Sequence, residues 1–402
     1  MRTAAACILT LLLIAPAGAQ DLRESSEGFE LTRTRSFTQS VDHIRIGGLS
    51  GSLRIVGGAS SVELEERLVF RVRERSEARR LLEVTPDDAR IVGTTFEVDT
   101  QPVREVSRQL RLRVPERVSI LADLAGGAIE VTGTRGDARL RTSGGAVSVE
   151  NLVGRLEISS AGGALSVRSV EGPVRATTSG GSVSLRGVAG RVEVVTAGGG
   201  VLVRETGSDV QVSTAGGEVI VEGAAGRVEV STAGGDINVT SVGGAAELST
   251  AGGNLAVRAI AGHVEGTTSG GDVSAQELLA GADLETFAGD IVLLDVAGPL
   301  RVMTQVGDVI LRLSATEDAP DVTATTQSGD VEIWLSQAVS ARLEATLGMA
   351  GGLSGHDISS DFPVTRESLG SARIRSVGVL GAGAGRVRLD ARNGSIRIRT
   401  LR

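Results

Sequence analysis

The sequence predicts an all-β fold: a parallel, two-sided β-solenoid (β-helix-like) of 18-residue coils, and three observations carry that expectation. The first is a glycine doublet that returns every 18 residues. Its second member falls at Gly127, Gly145, Gly163, Gly181, Gly199, Gly217, Gly235, Gly253 and Gly271, and single glycines at Gly289 and Gly307 keep the beat. A fixed period of this size marks stacked supersecondary units, not a globular enzyme domain. The second is alternation. Two positions after each reference glycine stands an aliphatic residue, from Ile129 through Val219 to Val309, and two further on the column resumes from Val131 to Leu311. A period of two places these side chains on one face of a strand, and a helix cannot use it. The third is a glycine halfway along most units, at Gly136, Gly154, Gly172, Gly190, Gly226, Gly244, Gly262 and Gly298, with lapses at Ser208 and Ala280. Each half-unit then holds one short strand and a corner, with no room for a helix.

A coil therefore reads strand, corner, strand, corner. Glycine at the corners suits bends that need positive φ. A hydroxyl column, Thr142, Ser160, Thr178, Thr196, Thr214, Thr232, Thr250, Thr268, Thr286 and Thr304, runs one strand apart in such a stack, where its members can hydrogen-bond to one another. The rival geometry is an antiparallel meander in which each unit is a hairpin. It would set equivalent residues two strands apart and leave that column without a purpose, so the parallel stack is preferred. At the ~4.8 Å spacing of paired strands, the marked coils make a shaft about 50 Å long.

Taken in order, residues 1–19 read as a signal peptide: Arg2, an apolar run, and Ala17-Gly18-Ala19 before the cut. Residues 20–40 form an N-terminal extension. Residues 41–125 hold a degenerate coil, in which Gly51, Leu53 and Ile55 match the repeat, and a β-rich cap with one short helix near Ser76–Val84. Residues 126–313 are the regular solenoid, and 314–402 supply C-terminal coils and a cap after the beat slips by four residues to Gly329. Irregular ends are what a solenoid needs to cover its terminal strand edges.

Composition excludes several function classes. The net charge is −8, which opposes nucleic-acid binding. All 41 basic residues are arginine, there is no tyrosine and only one tryptophan, so rings to stack on sugars are scarce. The single cysteine, Cys7, lies in the predicted signal peptide, which leaves the mature chain without thiols or disulfides. No apolar run after the signal is long enough to span a bilayer.

Candidate chemistry is sparse. His43, His263 and His356 are scattered, and no serine sits in a G-x-S-x-G elbow near a base. One constellation stands out. The residue after the reference glycine is Glu218, Asp236, Asn254, Asp272, Asp290 and Asp308 in consecutive coils. Stacking sets these carboxylates about 5 Å apart, where neighbours repel by ~1 kcal/mol even in water. Calcium is the cation such an oxygen column could attract, with Asp272, Asp290 and Asp308 as its core and Asp236 and Glu218 beside them. The calcium-solenoid motif G-G-x-G-x-D is absent, because GGDINV places Val239 where aspartate is needed, so a solvated acidic edge is the preferred reading and no cofactor is required.

The ends carry a resemblance. The G-S-L-R-I element at Gly51 to Ile55, the run LRLRVPERVSILADLAGGAIEV, and the close from Asp361-Phe362-Pro363-Val364 to NGSIRI resemble the bacterial putative-adhesin family of unknown function. The likeness covers roughly residues 40 to 402, although Gly-Gly replaces the family's Asn-Gly at most corners. It implies a cell-envelope role and supplies no binding residues. The expectation is an exported, non-enzymatic module, a putative adhesin or structural element of the periplasm, outer surface or medium. Its ligand would be an unknown envelope or extracellular protein or polysaccharide. A β-helix carbohydrate-active lyase or hydrolase is the alternative.

Overall fold

The computed structural model describes residues 22–314, 320–348 and 355–401, so the predicted signal peptide over residues 1–19 lies outside the described residues. The described residues form a parallel β-solenoid with one helix among them. Each unit forms one coil with a front strand and a back strand. After Gly235 these are Ile237–Val242 and Ala246–Thr250. Alternation aims Ile237 and Val239 inward from the front, and Ala246, Leu248 and Thr250 inward from the back; all are buried, as is Val242. Front strands pair in parallel, one coil out of step: Val219 faces Ile237, which faces Leu255. Back strands do the same, Val228 to Ala246 to Val264. Equivalent residues are thus immediate neighbours, which the hairpin meander forbids. The product is one continuous aliphatic core along the shaft. Burying each of these side chains contributes ~1.5–3 kcal/mol, and a one-residue slip would turn all of them to solvent.

Within the front strand, one residue adopts the left-handed conformation, with φ of 56° at Ser169, 59° at Ser241 and 55° at Ala259. That bend lets Val239 and Val242, three residues apart, both face the core. Pure alternation does not foretell it.

Two expectations about the corners are corrected. Positive φ is not what demands most of the doublet glycines. Gly163 lies outside the left-handed region, but a Cβ there would sit 1.9 Å from the carbonyl oxygen of Gly145 in the preceding coil. Its partner Gly162 has nothing within 4 Å. Close stacking of corners, not backbone torsion, selects the second glycine. Nor do the column hydroxyls chiefly bond one another. Thr268 Oγ1 donates to the Gly253 carbonyl at 2.8 Å and accepts the Gly271 N–H at 3.3 Å. Thr250 and Thr142 repeat the pair. Where both bonds form, the hydroxyl ties its own corner to the one before it, satisfying backbone groups that the turn leaves without strand partners. Thr196, Thr214 and Thr232 instead bond within their own corners.

Both ends close by the same device, a coil inserted out of chain order. The coil of His43–Ser50 and Leu53–Val56 sits between Ser119–Gly126/Ile129–Arg135 and Thr95–Asp99/Val106–Arg113. At the other end, Gly385–Arg392 and Ile396–Thr400 slot between Val322–Ser328/Val331–Leu335 and Ala341–Gly348/Ile358–Ser360. The expected cap helix is Arg75–Glu83. Its Ala78 packs into a second small core with Phe29, Leu31, Leu68, Phe70 and Val106. That core is backed by the antiparallel strands Gly28–Phe37, Val62–Phe70 and Val106–Arg113.

The same cap buries charge. Glu66 and Arg108, 2% and 5% exposed, meet at 3.1 Å, and Arg108 also donates to the Pro86 carbonyl at 2.9 Å with Asp88 3.5 Å away. Burial raises the Glu66 pKa above the ordinary carboxylate value, against the opposing pull of Arg108, Arg33 and Arg35.

Candidate functional site

The acidic corner column is brought together as the repeat requires, and it makes a ladder. Aspartate has a short side chain that readily bonds nearby backbone. Here the reach is to the next coil: Asp236 Oδ1 accepts the Asn254 N–H at 2.7 Å, and Asn254 Oδ1 accepts that of Asp272 at 2.8 Å. Asp272 then holds Asp290 at 2.9 Å, and Asp290 holds Asp308 at 2.8 Å. The ladder continues through Asp330, which takes the Asp308 bond at 2.7 Å and passes its own to Ser395 at 2.7 Å. Asp330 escaped the sequence reading because the four-residue slip moved it off the beat; the Ser328-Gly329-Asp330 triplet was its signal. Glu218 heads the column but has no ladder bond among the described residues. Single bonds of the same kind occur at the opposite corner, where Asp137 and Asp209 accept the N–H groups of Arg155 and Arg227 at 3.0 and 2.9 Å. Among the described residues, no three His, Cys, Asp or Glu side chains are grouped so that they could hold a metal ion.

The outward faces differ in charge. On the back sheet, the outward column begins with matched pairs, Arg139 with Glu157 at 2.6 Å and Arg175 with Glu193 at 3.2 Å. It then turns acidic at Glu229, Glu247, Glu265 and Asp283, one per coil. Beside it runs an exposed hydroxyl column through Ser213, Ser231, Ser249 and Thr267. The front sheet balances its charges locally: Arg186 with Glu205 and Arg204 with Glu222 at 2.8 Å, Arg258 with Glu277 at 3.0 Å. Exposed ion pairs of this kind contribute ~0–1 kcal/mol each, so they shape the surface more than they stabilise it.

Among the described residues, the histidines enter no catalytic grouping. His43 lies at the start of a back-sheet strand near the N-terminal end, His263 on a corner 3.6 Å from Asp283, and His356 just before the strand Ile358–Ser360. The open groove near the N-terminal end is lined by Arg54, Arg111, Arg113, Glu63 and Glu65. Each of its arginines already has an acid: Glu130 at 3.2 Å, Glu65 at 3.7 Å and Glu63 at 3.8 Å. No helix among the described residues is long and apolar enough to cross a membrane.

Residues 201–399 match the family described as Toastrack DUF4097. Among solved structures, the chain is similar to a "putative cell adhesion protein" from Clostridium sporogenes ATCC 15579, at 7% identity and a TM-score of 0.16, over 92% of this chain and 100% of that one. It is also similar to a "putative adhesin" from Bacteroides fragilis NCTC 9343, at 10% identity and a TM-score of 0.19, over 95% of this chain and 100% of the other. No curated protein matches the chain. The family match, rather than these distant likenesses, bears out the resemblance to the putative-adhesin family of unknown function.

Proposed function

We propose that the chain is an exported, non-enzymatic binding or structural module of the cell envelope, an adhesin-type shaft that works by displaying repetitive faces. One observation supports this reading above others: through the regular coils, the outward columns repeat the same strand position coil after coil, in parallel register. A ligand that is itself repetitive, such as a polysaccharide or a protein array, would meet many weak contacts at once. Contacts so linked add by effective concentration, so the assembled affinity exceeds that of any single coil by ~10²–10⁴. Stiffness matters here, because a continuous core holds the faces flat and spends little ordering entropy on binding.

The test is a pulldown of the purified chain on envelope polysaccharides and envelope proteins, run alongside an assay for released reducing ends. Retention without new reducing ends is expected. Release of reducing ends by the purified chain would replace this reading with that of a carbohydrate-active enzyme. Protease digestion of intact cells assigns the compartment: cleavage places the shaft on the outer surface, and protection lifted by opening the outer membrane places it in the periplasm.

A further inference from the structure

We propose that the back sheet docks on a second copy of this chain, giving a two-fold symmetric dimer whose acidic and basic halves exchange places. The outward back face changes sign along its length. Four consecutive coils present Glu229, Glu247, Glu265 and Asp283. The strands that follow in the same sheet, Leu300–Val306, Val322–Ser328, Gly385–Arg392, Ala341–Gly348 and Arg373–Leu380, are stacked in that order. They enrich the face in arginine, with Arg301, Arg386, Arg388, Arg392 and Arg373 exposed beside the half-buried acids Glu344 and Asp390. From residue 361 to the end the chain carries nine arginines against Asp361, Glu367 and Asp390, in a protein whose net charge is −8.

The boundary between the two halves is apolar. Phe287 on Ala282–Ala288 is 55% exposed, and on the adjoining Leu300–Val306 Met303 is 36% and Val306 54% exposed. Large apolar side chains left in water beside a change of charge sign have the anatomy of an interface, an apolar centre with a charged surround.

Symmetry selects the partner. Consider a two-fold axis lying in the plane of contact, parallel to the strands and midway between Ala282–Ala288 and Leu300–Val306. It reverses the order of coils and keeps each position along the strand. Asp283 of one copy then faces Arg301 of the other, and Glu247 faces Arg388, since both pairs lie equally far from the axis in the same outward column. Glu265 meets the neutral Thr323, and Glu229, one coil further out, meets Glu344, so the charge complementarity is confined to the three strands on either side of the axis. Phe287 and Met303 each fall half a coil from the axis, so Phe287 faces Gln305 of the other copy with its own counterpart one strand spacing away, and Met303 lies opposite Glu285. Such a self-complementary patch is what an isologous dimer demands. Arg301 has no ion pair among the described residues, and Arg388 has one, with Asp390 on its own strand at 2.9 Å. On the acidic side Glu247 pairs with Arg227 of its own chain, and Asp283 lies 3.6 Å from His263. The ten strands from Val210–Thr214 to Arg373–Leu380 offer on the order of 700 Å² per copy at the spacings of a β-sheet, enough for a standard-size interface. The proposal is independent of what the shaft binds. It leaves both front faces outward, one on each side of the dimer.

Sedimentation of the purified chain over a range of micromolar concentrations tests it. A monomer–dimer equilibrium weakened by added salt is expected, because the facing charges are screened. Glu247→Arg alone and Arg388→Glu alone should each raise the dimer Kd about 100-fold through like-charge juxtaposition. The double variant, which restores opposite signs across the axis, should return to within about threefold of the parent, since paired sites couple. Phe287→Ser at the apolar centre is an independent arm and should raise Kd about 10-fold. Melting curves confirm that each variant is folded, and the rescue cannot come from a misfolded chain. A monomer at every concentration overturns the proposal. So does a dimer indifferent to these substitutions, or a double variant no tighter than the singles.

Discussion

Neighbouring glycines at one corner do different work. At Gly163 a methyl group would meet the Gly145 carbonyl oxygen at 1.9 Å, whereas at Gly162 it would meet nothing within 4 Å. Gly163→Ala should therefore cost about 2–3 kcal/mol, as overpacking does, while Gly162→Ala stays within about 0.5 kcal/mol; urea melts of the two variants compare them directly. Thr206 gives the opposite sign. It is 4% exposed in a core column held elsewhere by Val188, Ala224 and Val242, and its hydroxyl has no partner among the described residues. Thr206→Val should stabilise the fold by about 1–2 kcal/mol, measured the same way. In the corner ladder, Asp290→Ala removes one backbone partner, that of Asp308, and should cost about 1 kcal/mol. Calcium added to the parent should move Tm no further than sodium chloride of equal ionic strength, since one oxygen of each ladder aspartate is already engaged; a larger shift would reveal a cation site. Column membership was readable residue by residue from the beat. The reasons for it were not, because a carbonyl 1.9 Å from an imagined Cβ belongs to the preceding coil and leaves no local trace.

The elements most legible in sequence were those that repeat. Alternation located the regular strands, and the stretch Ser76–Val84 gave the helix found at Arg75–Glu83. The ends resisted for a topological reason. Asp321 bonds the N–H of Arg386 and Asp330 that of Ser395, each across 65 residues, because the last coil is inserted between two earlier ones. No periodicity reports an insertion out of chain order. The N-terminal cap adds a buried ionic contact that its apolar pattern conceals. Arg108→Met would leave Glu66 charged and enclosed without its 3.1 Å partner, and should cost about 3–5 kcal/mol. Thermal unfolding of that variant checks it, and a loss below 1 kcal/mol would mean that Arg33 and Arg35 suffice to hold Glu66.

At the scale of the whole molecule, fold and candidate site are the same object. The repeat that stacks Val219 on Ile237 and Leu255 inside also lines up Glu229, Glu247 and Glu265 outside, so a surface of regular charge follows from a core of regular shape. What binds there was not legible, because columns of solvated acids and hydroxyls do not encode a particular ligand as a catalytic triad or metal cage does. Both the display function and the proposed dimer depend on equivalent residues advancing one strand spacing per coil. Spin labels at Ser148→Cys and Asn238→Cys, five coils apart on the front face, measure that advance in a Cys7→Ser chain diluted with unlabelled protein. Double electron–electron resonance should give a distance centred near ~24 Å, five spacings of ~4.8 Å, whereas a distance near ~48 Å would show two strands per repeat and contradict the stacked shaft.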